Sequence, residues 1–274
     1  KLIRIWYNYL KNVNFSAYQL VYTLGAGNDF SCATAMRMVK SRKGCKWVSF
    51  VHDPFPLQCY PPPYGTPKTI IGGKEKKSFQ KIINSADSLS FPSMRLKEWM
   101  SQFYRGIEKK AILQPHLGYE PEILQALDDS SYNKHEISAK EMLSSGCFNV
   151  LHTGTLLGPR DPSALFIAFA KFIDTCKEAK DKAYLHLIGK LSRQHQYMSD
   201  EKYRNIRVHN VRLPYITSLQ LQRESQALLL LEAVTKESPF MPGKLADYIM
   251  ARKPIIALTP PKSETSRILA GSMA

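Results

Sequence analysis

The chain has 274 residues, 44% hydrophobic and 22% charged, and its 38 Lys and Arg against 23 Asp and Glu leave a net charge of +15. That length suggests about two domains, the composition excludes a disordered or fibrous chain, and no apolar run reaches the roughly 18 residues of a membrane-spanning helix. The five cysteines, Cys32, Cys45, Cys59, Cys147 and Cys176, are odd in number and widely spaced without a Cys-x-x-Cys pair. A reducing, cytoplasmic compartment is therefore expected, and a zinc site is not.

Taken in chain order, short apolar runs alternate with amphipathic segments. The opening LIRIWYNYL reads as a helix with no strand ahead of it, and the sequence begins at Lys1 without a signal-peptide pattern. The first domain is therefore expected to be incomplete. Strands are predicted at 18–23, 47–51, 88–91 and 111–114, with helices at 29–41, 74–85 and 94–104 between them. After a polar stretch at 128–140, FNVLHT restarts the pattern with a strand at 148–153. Further strands follow at 184–188, 206–209, 227–232 and 254–258, and helices at 162–178, 217–225 and 243–251. Asp161-Pro162 is a capping residue followed by a proline suited to the first helical turn. Several strands are apolar on both faces, which a parallel sheet covered by helices requires. The alternation is βαβ grammar, predicting an α/β protein of two parallel-sheet domains, 1–145 and 146–274.

The charge is unevenly placed. Residues 1–110 hold 18 Lys and Arg against six Asp and Glu, a net +12. Such a surface suits anionic lipid or a phosphorylated substrate. No helix-turn-helix or aromatic–basic recognition motif accompanies it, so no nucleic-acid partner is expected.

In open parallel sheets, ligands bind beyond the carboxyl ends of the strands. Three such ends carry chemistry here. His52-Asp53-Pro54 follows WVSFV, Gly154-Thr155 through Arg160 follows FNVLHT, and the stretch from Thr235 to Lys244 follows ALLLLEA. A helix starting near Gly243 exposes backbone amides and the positive end of its dipole, and Lys244 adds a charge there. A diphosphate is the natural ligand for that combination. Asp247, one turn on, could accept hydrogen bonds from ribose hydroxyls. Arg160 and Lys244 are expected to be solvated in the free protein. Gly25-Ala26-Gly27 and Gly72-Gly73-Lys74 stop short of the dinucleotide and P-loop spacings. CYPPPYG reads as an extended connection, and His116, His152, His186 and His209 read as structural.

The string SPFMPGKLADYIMARKPIIAL resembles the nucleotide-sugar-binding segment of family-4 retaining glycosyltransferases, which have the GT-B fold of two facing Rossmann-like domains. VLHTGTLLGPRDPSALFIAFAKF, VRLPYITSLQLQRESQALLLL, WVSFVHDPF and ILQPHLGYEPEIL resemble other parts of the same family. The resemblance implies an acceptor-side domain at 1–145 and a nucleotide-sugar domain at 146–274. It makes Arg160 and Lys244, with Gly154, Thr155 and Gly243, the donor diphosphate site. It also makes Asp247 the ribose ligand, Ser238, Pro239 and Phe240 the donor loop, and His52 the catalytic residue facing the transferred sugar. The family's usual glutamate pair stands here as Pro239 and Asp247, and Thr155 replaces an arginine.

The implied activity is transfer of a sugar from a nucleotide-sugar donor to a glycan or lipid-linked acceptor, as in polysaccharide biosynthesis. No Asp-x-Asp motif is present, so no metal is expected, and the nucleotide sugar is a co-substrate rather than a cofactor. Peripheral contact with an anionic membrane, at its inner face, is the expectation for the basic half. Two alternatives stay open: a nucleotide-sugar epimerase of the same fold, and a basic binding module without activity.

Overall fold

The computed structural model describes residues 2–24, 34–36, 38, 44–65, 73–115, 121–128, 139–156, 158–190 and 203–272. Its chain forms two compact units. The first comprises residues 1–116 with 235–241 and 261–264, and the second comprises 117–234, 242–260 and 265–274.

The first unit is built on four parallel strands, β1 (Leu20–Leu24), β2 (Lys46–Phe50), β3 (Ser88–Phe91) and β4 (Ala111–Leu113), in the order β1-β2-β3-β4. Helices α1 (Leu2–Leu10), α2 (Lys74–Ser85) and α3 (Met94–Ser101) belong to it. Its core gathers Trp47, Phe79, Phe91, Leu96 and Met100, all fully buried or nearly so. Ser93 caps α3 by accepting from the Leu96 amide at 3.0 Å. That helix stops at Ser101, short of the expected 104, because Tyr104 is buried and its hydroxyl donates to the Phe55 carbonyl at 3.0 Å. The CYPPPYG stretch is not the extended connection its prolines suggest. A 3₁₀ turn at Leu57–Cys59 leads into a loop closed by the Tyr64 and Gly65 amides on the Pro61 carbonyl.

The second unit carries five parallel strands, β5 (Phe148–Thr153), β6 (Ala183–Ile188), β7 (Ile206–His209), β8 (Ala227–Leu231) and β9 (Ile255–Leu258), in the order β7-β6-β5-β8-β9. Chain order runs outward from β5 to β7, then returns to lay β8 on the other side of β5. That reversal opens a crevice at the carboxyl ends of β5 and β8, the place where ligands bind such sheets. All five residues of β8 are buried, as an apolar strand covered on both faces must be.

Helices α4 (Pro121–Asp128), α5 (Ala139–Met142), α6 (Ser163–Thr175), α7 (Tyr215–Glu224), α8 (Lys244–Ala251) and α9 (Glu264–Leu269) complete the chain. The α6 start is held by Asp161, whose Oδ1 accepts from the Ser163 amide at 2.9 Å. The units divide after His116 rather than at 145. Helix α4 lies in the second unit, where Arg223 of α7 meets Asp128 at 2.8 Å.

Of the predicted helix at 29–41, the described residues 34–36 and 38 are helical. The rest of it, Gly25-Ala26-Gly27, Gly72, His116 and most of the polar stretch at 128–140 lie outside the described residues. Among the described residues, no helix is long and apolar enough to cross a membrane.

Candidate functional site

The site grows from the carboxyl end of β5. Thr153 is anchored from two helices: its Oγ1 accepts from Gln222 Nε2 of α7 at 3.0 Å, and its amide donates to the Tyr248 hydroxyl of α8 at 3.3 Å. Beyond it the chain turns through Gly154 at φ +117°, a conformation that side chains other than hydrogen resist. The Gly154 amide donates to the Ile188 carbonyl at 2.6 Å and the Leu156 amide to the Lys190 carbonyl at 3.1 Å. This stitches the turn to the end of β6. There Gly189, at φ +139°, lies against the Gly154 carbonyl so closely that a β-carbon would overlap it.

Lys244, in the first turn of α8, reaches across this turn. A β-carbon on Gly154 would stand 2.5 Å from its Cε and 2.6 Å from its Nζ, so glycine is what allows the ammonium to lie on the backbone. Lys244 and Arg160 are half-buried, not solvated as expected. Burial draws the Lys244 pKa below the ordinary lysine range, and the nearby Arg160 charge lowers it further against the opposing pull of Asp247. Beneath them His152 is 2% exposed, its Nδ1 2.9 Å from the Leu229 carbonyl. Burial, with the Lys244 and Arg160 charges, holds it down at about 4 and therefore neutral. Two cations over a neutral base and an exposed Gly243 at the head of α8 make a site short of negative charge.

Asp247, one turn into α8, places a hydrogen-bond acceptor beside these cations. The Tyr215 hydroxyl, at the start of α7, donates to its Oδ1 at 2.7 Å. Burial pushes the Asp247 carboxyl above the usual range, while Tyr215 and Lys244 pull it back. Burial and the Asp247 bond push the Tyr215 phenol up to about 12. Removing the hydroxyl in Tyr215→Phe should therefore raise the Asp247 pKa further. A carbon-detected NMR titration of the side-chain carboxyl reads this directly, and an unmoved midpoint would show the bond to be without electrostatic consequence.

Gly154, Thr155, Arg160, Gly243, Lys244 and Asp247 thus all lie in the second unit, around one strand end and one helix start. The other predicted residues belong to the first unit. His52 is exposed at the carboxyl end of β2, its ring 5.8 Å from that of Phe50. Ser238 is buried, its amide donating to the Lys262 carbonyl at 2.9 Å, and Pro239 O accepts from the Ser93 hydroxyl at 3.3 Å. The Phe240 ring meets Tyr60 at 5.7 Å and Tyr64 at 5.0 Å, so the CYPPPYG loop is its seat.

Sequence reasoning missed Gly189 and Tyr215. Gly189 carried the signal that marked Gly154, a glycine directly after an apolar strand, and Tyr215 follows Pro214 at a helix start. Glu232, at the end of β8, is buried and accepts from the Thr259 and Thr265 hydroxyls at 2.5 and 2.7 Å, a structural carboxylate. His186 is equally structural, stacked on His209 and 2.9 Å from Asn149 Oδ1.

No family model matches the chain, and no curated protein sequence does. Solved structures do. The α,α-trehalose-phosphate synthase (UDP-forming) from Burkholderia xenovorans, in complex with glucose-6-phosphate, superposes with a TM-score of 0.62 at 11% identity, over 99% of this chain and 66% of that one. The α,α-trehalose 6-phosphate synthase of Burkholderia multivorans gives 0.65 at 14%, over 99% and 63%. A trehalose-6-phosphate structure from E. coli bound with UDP-2-fluoro glucose gives 0.62 at 13%, over 98% and 65%. The chain therefore spans about two thirds of the length of these structures or slightly less. A likeness at such identities is one of architecture: with its two parallel-sheet α/β units, this chain has the GT-B fold.

Proposed function

We propose that this protein is a retaining, metal-independent glycosyltransferase of the family-4 type, moving a sugar from a nucleotide-sugar donor to a glycan or lipid-linked acceptor. One observation carries the reading. Arg160 and the half-buried Lys244 lie at the Gly154 turn and the start of α8, with the Asp247 carboxylate one turn away. Cleaving a glycosyl–phosphate bond leaves a nucleoside diphosphate whose negative charge grows toward the transition state. Fixed positive groups at that position stabilise it. The architecture agrees, since structures of similar fold are described as UDP-forming and as bound with UDP-2-fluoro glucose or with glucose-6-phosphate.

In this reading Gly154, Thr155, Gly243, Arg160 and Lys244 hold the diphosphate, and Asp247 accepts from the ribose. Ser238, Pro239 and Phe240 form the donor loop, and His52 faces the transferred sugar. Attack on the face the phosphate leaves lets the departing oxygen assist deprotonation of the acceptor, so no separate strong base is needed. The two cations do the work that a metal ion does elsewhere. The reaction is placed in a reducing, cytoplasmic compartment, in keeping with four free thiols among the described cysteines. The basic first half suits an anionic membrane surface that presents the acceptor.

Calorimetry against UDP, GDP and ADP, followed by turnover of the matching nucleotide sugar, tests this. At least one diphosphate should bind, and sugar transfer should survive excess EDTA. Activity lost to EDTA and restored by Mg²⁺ or Mn²⁺ would refute the metal-independent mechanism. Binding with epimerised sugar in place of transfer would assign the epimerase, and no binding at all would leave a basic binding module.

A further inference from the structure

At the crevice of the second unit β5 and β8 part, their pairing ending at Leu151 and Leu228. The next carbonyl along β8, that of Leu229, takes hydrogen bonds from side chains. His152 Nδ1 donates to it at 2.9 Å and the Tyr248 hydroxyl at 3.3 Å. A ring nitrogen that donates carries hydrogen, so the neutral His152 ring has a bare Nε2. That Nε2 is buried and has no hydrogen-bond partner among the described residues. A buried polar atom left unpaired is costly, and the Leu229 bond does not account for it. One nitrogen of the ring is structural. The other is idle in the free protein.

The idle nitrogen lies where the local charge would change on binding. Burial opposes a proton on the ring most, and Lys244 at the start of α8 and Arg160 ahead of α6 oppose it further. The Leu229 and Gly154 backbone groups favour the proton. The carboxylates of the surrounding elements are engaged elsewhere. Asp161 accepts from the Ser163 amide, Glu232 from Thr259 and Thr265, and Asp247 from Tyr215. On its other side β6 brings Leu187 into register with the ring. A diphosphate seated on Lys244 and Arg160 would cancel their repulsion and add an attraction of its own.

We propose that His152 is a positioning residue of the diphosphate site: its Nε2 takes up a proton as the diphosphate binds, and the charged ring then holds the Gly154 turn beneath the phosphates. The proton comes from solvent, and no bond forms except Nε2–H. This rests on the diphosphate reading given above and adds to it a buried residue beneath the ligand.

The probes are UDP-glucose, GDP-mannose and ADP-glucose, whose diphosphates are diesters with no group of their own that titrates near neutrality. Each is titrated calorimetrically into the full chain in two buffers of different ionisation enthalpy, and the difference in heat counts the protons taken up. At about pH 6 the nucleotide sugar that binds should take up about half a proton or more, and its affinity should tighten about twofold or more between about pH 7.5 and about pH 6. The His152→Asn side-chain amide can still donate to Leu229, so that variant should melt near the parent and lose this uptake. Lys244 and Asp247 also titrate at the site and are present in both proteins, so the difference between them belongs to the imidazole. Nitrogen-15 NMR of the histidine side chains reads the event in the parent, whether or not the variant folds. The ring that begins with hydrogen on Nδ1 alone should gain it on Nε2 when the nucleotide sugar is added.

Equal proton uptake by parent and His152→Asn, or a ring whose Nε2 stays bare in the complex, would overturn the proposal and leave His152 structural. Either result, obtained with a nucleotide sugar bound, leaves the diphosphate site standing. Binding by none of the three removes the diphosphate site and the role of His152 with it.

Discussion

Lys244→Ala should weaken nucleoside diphosphate binding by about 1.5–3 kcal/mol, roughly 10- to 150-fold, the usual worth of a charged hydrogen bond to phosphate. Arg160→Ala should lose an amount of the same order. Lys244 is half-buried over the Gly154 turn, and its positive charge is disfavoured there by burial and by Arg160. A bound diphosphate would relieve both penalties at once. Without diphosphate, removing one cation also removes repulsion, so the free variant should be as stable as the parent or slightly more so. Calorimetry with the diphosphate and a thermal melt without it separate the two effects. Unchanged affinity in both variants would take the diphosphate away from this site, and a large drop in melting temperature would recast Lys244 as a structural residue.

Gly189→Ala should do the reverse, costing stability first. Its φ of +139° lies in a region that β-carbons avoid, at about 1–3 kcal/mol, and the added carbon would overlap the Gly154 carbonyl. Overpacking against backbone adds about 1–3 kcal/mol, because no flexible side chain can give way. The contrast is Gly154→Ala, where the added carbon meets the far end of Lys244. That end can swing aside, so Gly154→Ala bears the backbone strain of its φ of +117° without the overlap, and should cost less stability than Gly189→Ala while also losing diphosphate affinity. Denaturant melts and calorimetry on the pair check this. If Gly189→Ala melts like the parent, the close approach of the two glycines is not a constraint on the fold.

Most of the strand positions could be read in the chain because they are written locally. Short runs apolar on both faces, FNVLHT, ALLLL and PIIAL, have few options besides a buried parallel strand, and each lies within a residue or so of where the pattern puts it. The cluster around Lys244 was readable for the same reason. Its members sit at the strand ends and the helix start that the β–α alternation defines. What the sequence hid was set by pairs far apart along it. Helix α4 contacts α7, where Asp128 meets Arg223 95 residues on, and groups with the second unit, so the polar stretch after it does not mark the end of the first. Residues 235–241 read as the approach to α8. They group with the first unit, where Phe240 is seated on Tyr60 and Tyr64. Tyr215 shows no periodicity that would single it out, and its meaning appears only when α7 brings it to Asp247.

The Gly154–Gly189 contact also bears on how such a protein can diverge. In a packed core, a gain of volume at one position can be offset by a loss at its neighbour, and sequences drift through such exchanges. Two glycines touching through backbone have nothing to trade. The Gly154 backbone cannot shrink to admit a side chain at Gly189, and both glycines hold backbone angles that few residues tolerate. Stepwise substitution is therefore closed at this corner, and any lineage that altered it would have to rebuild the ends of β5 and β6 together.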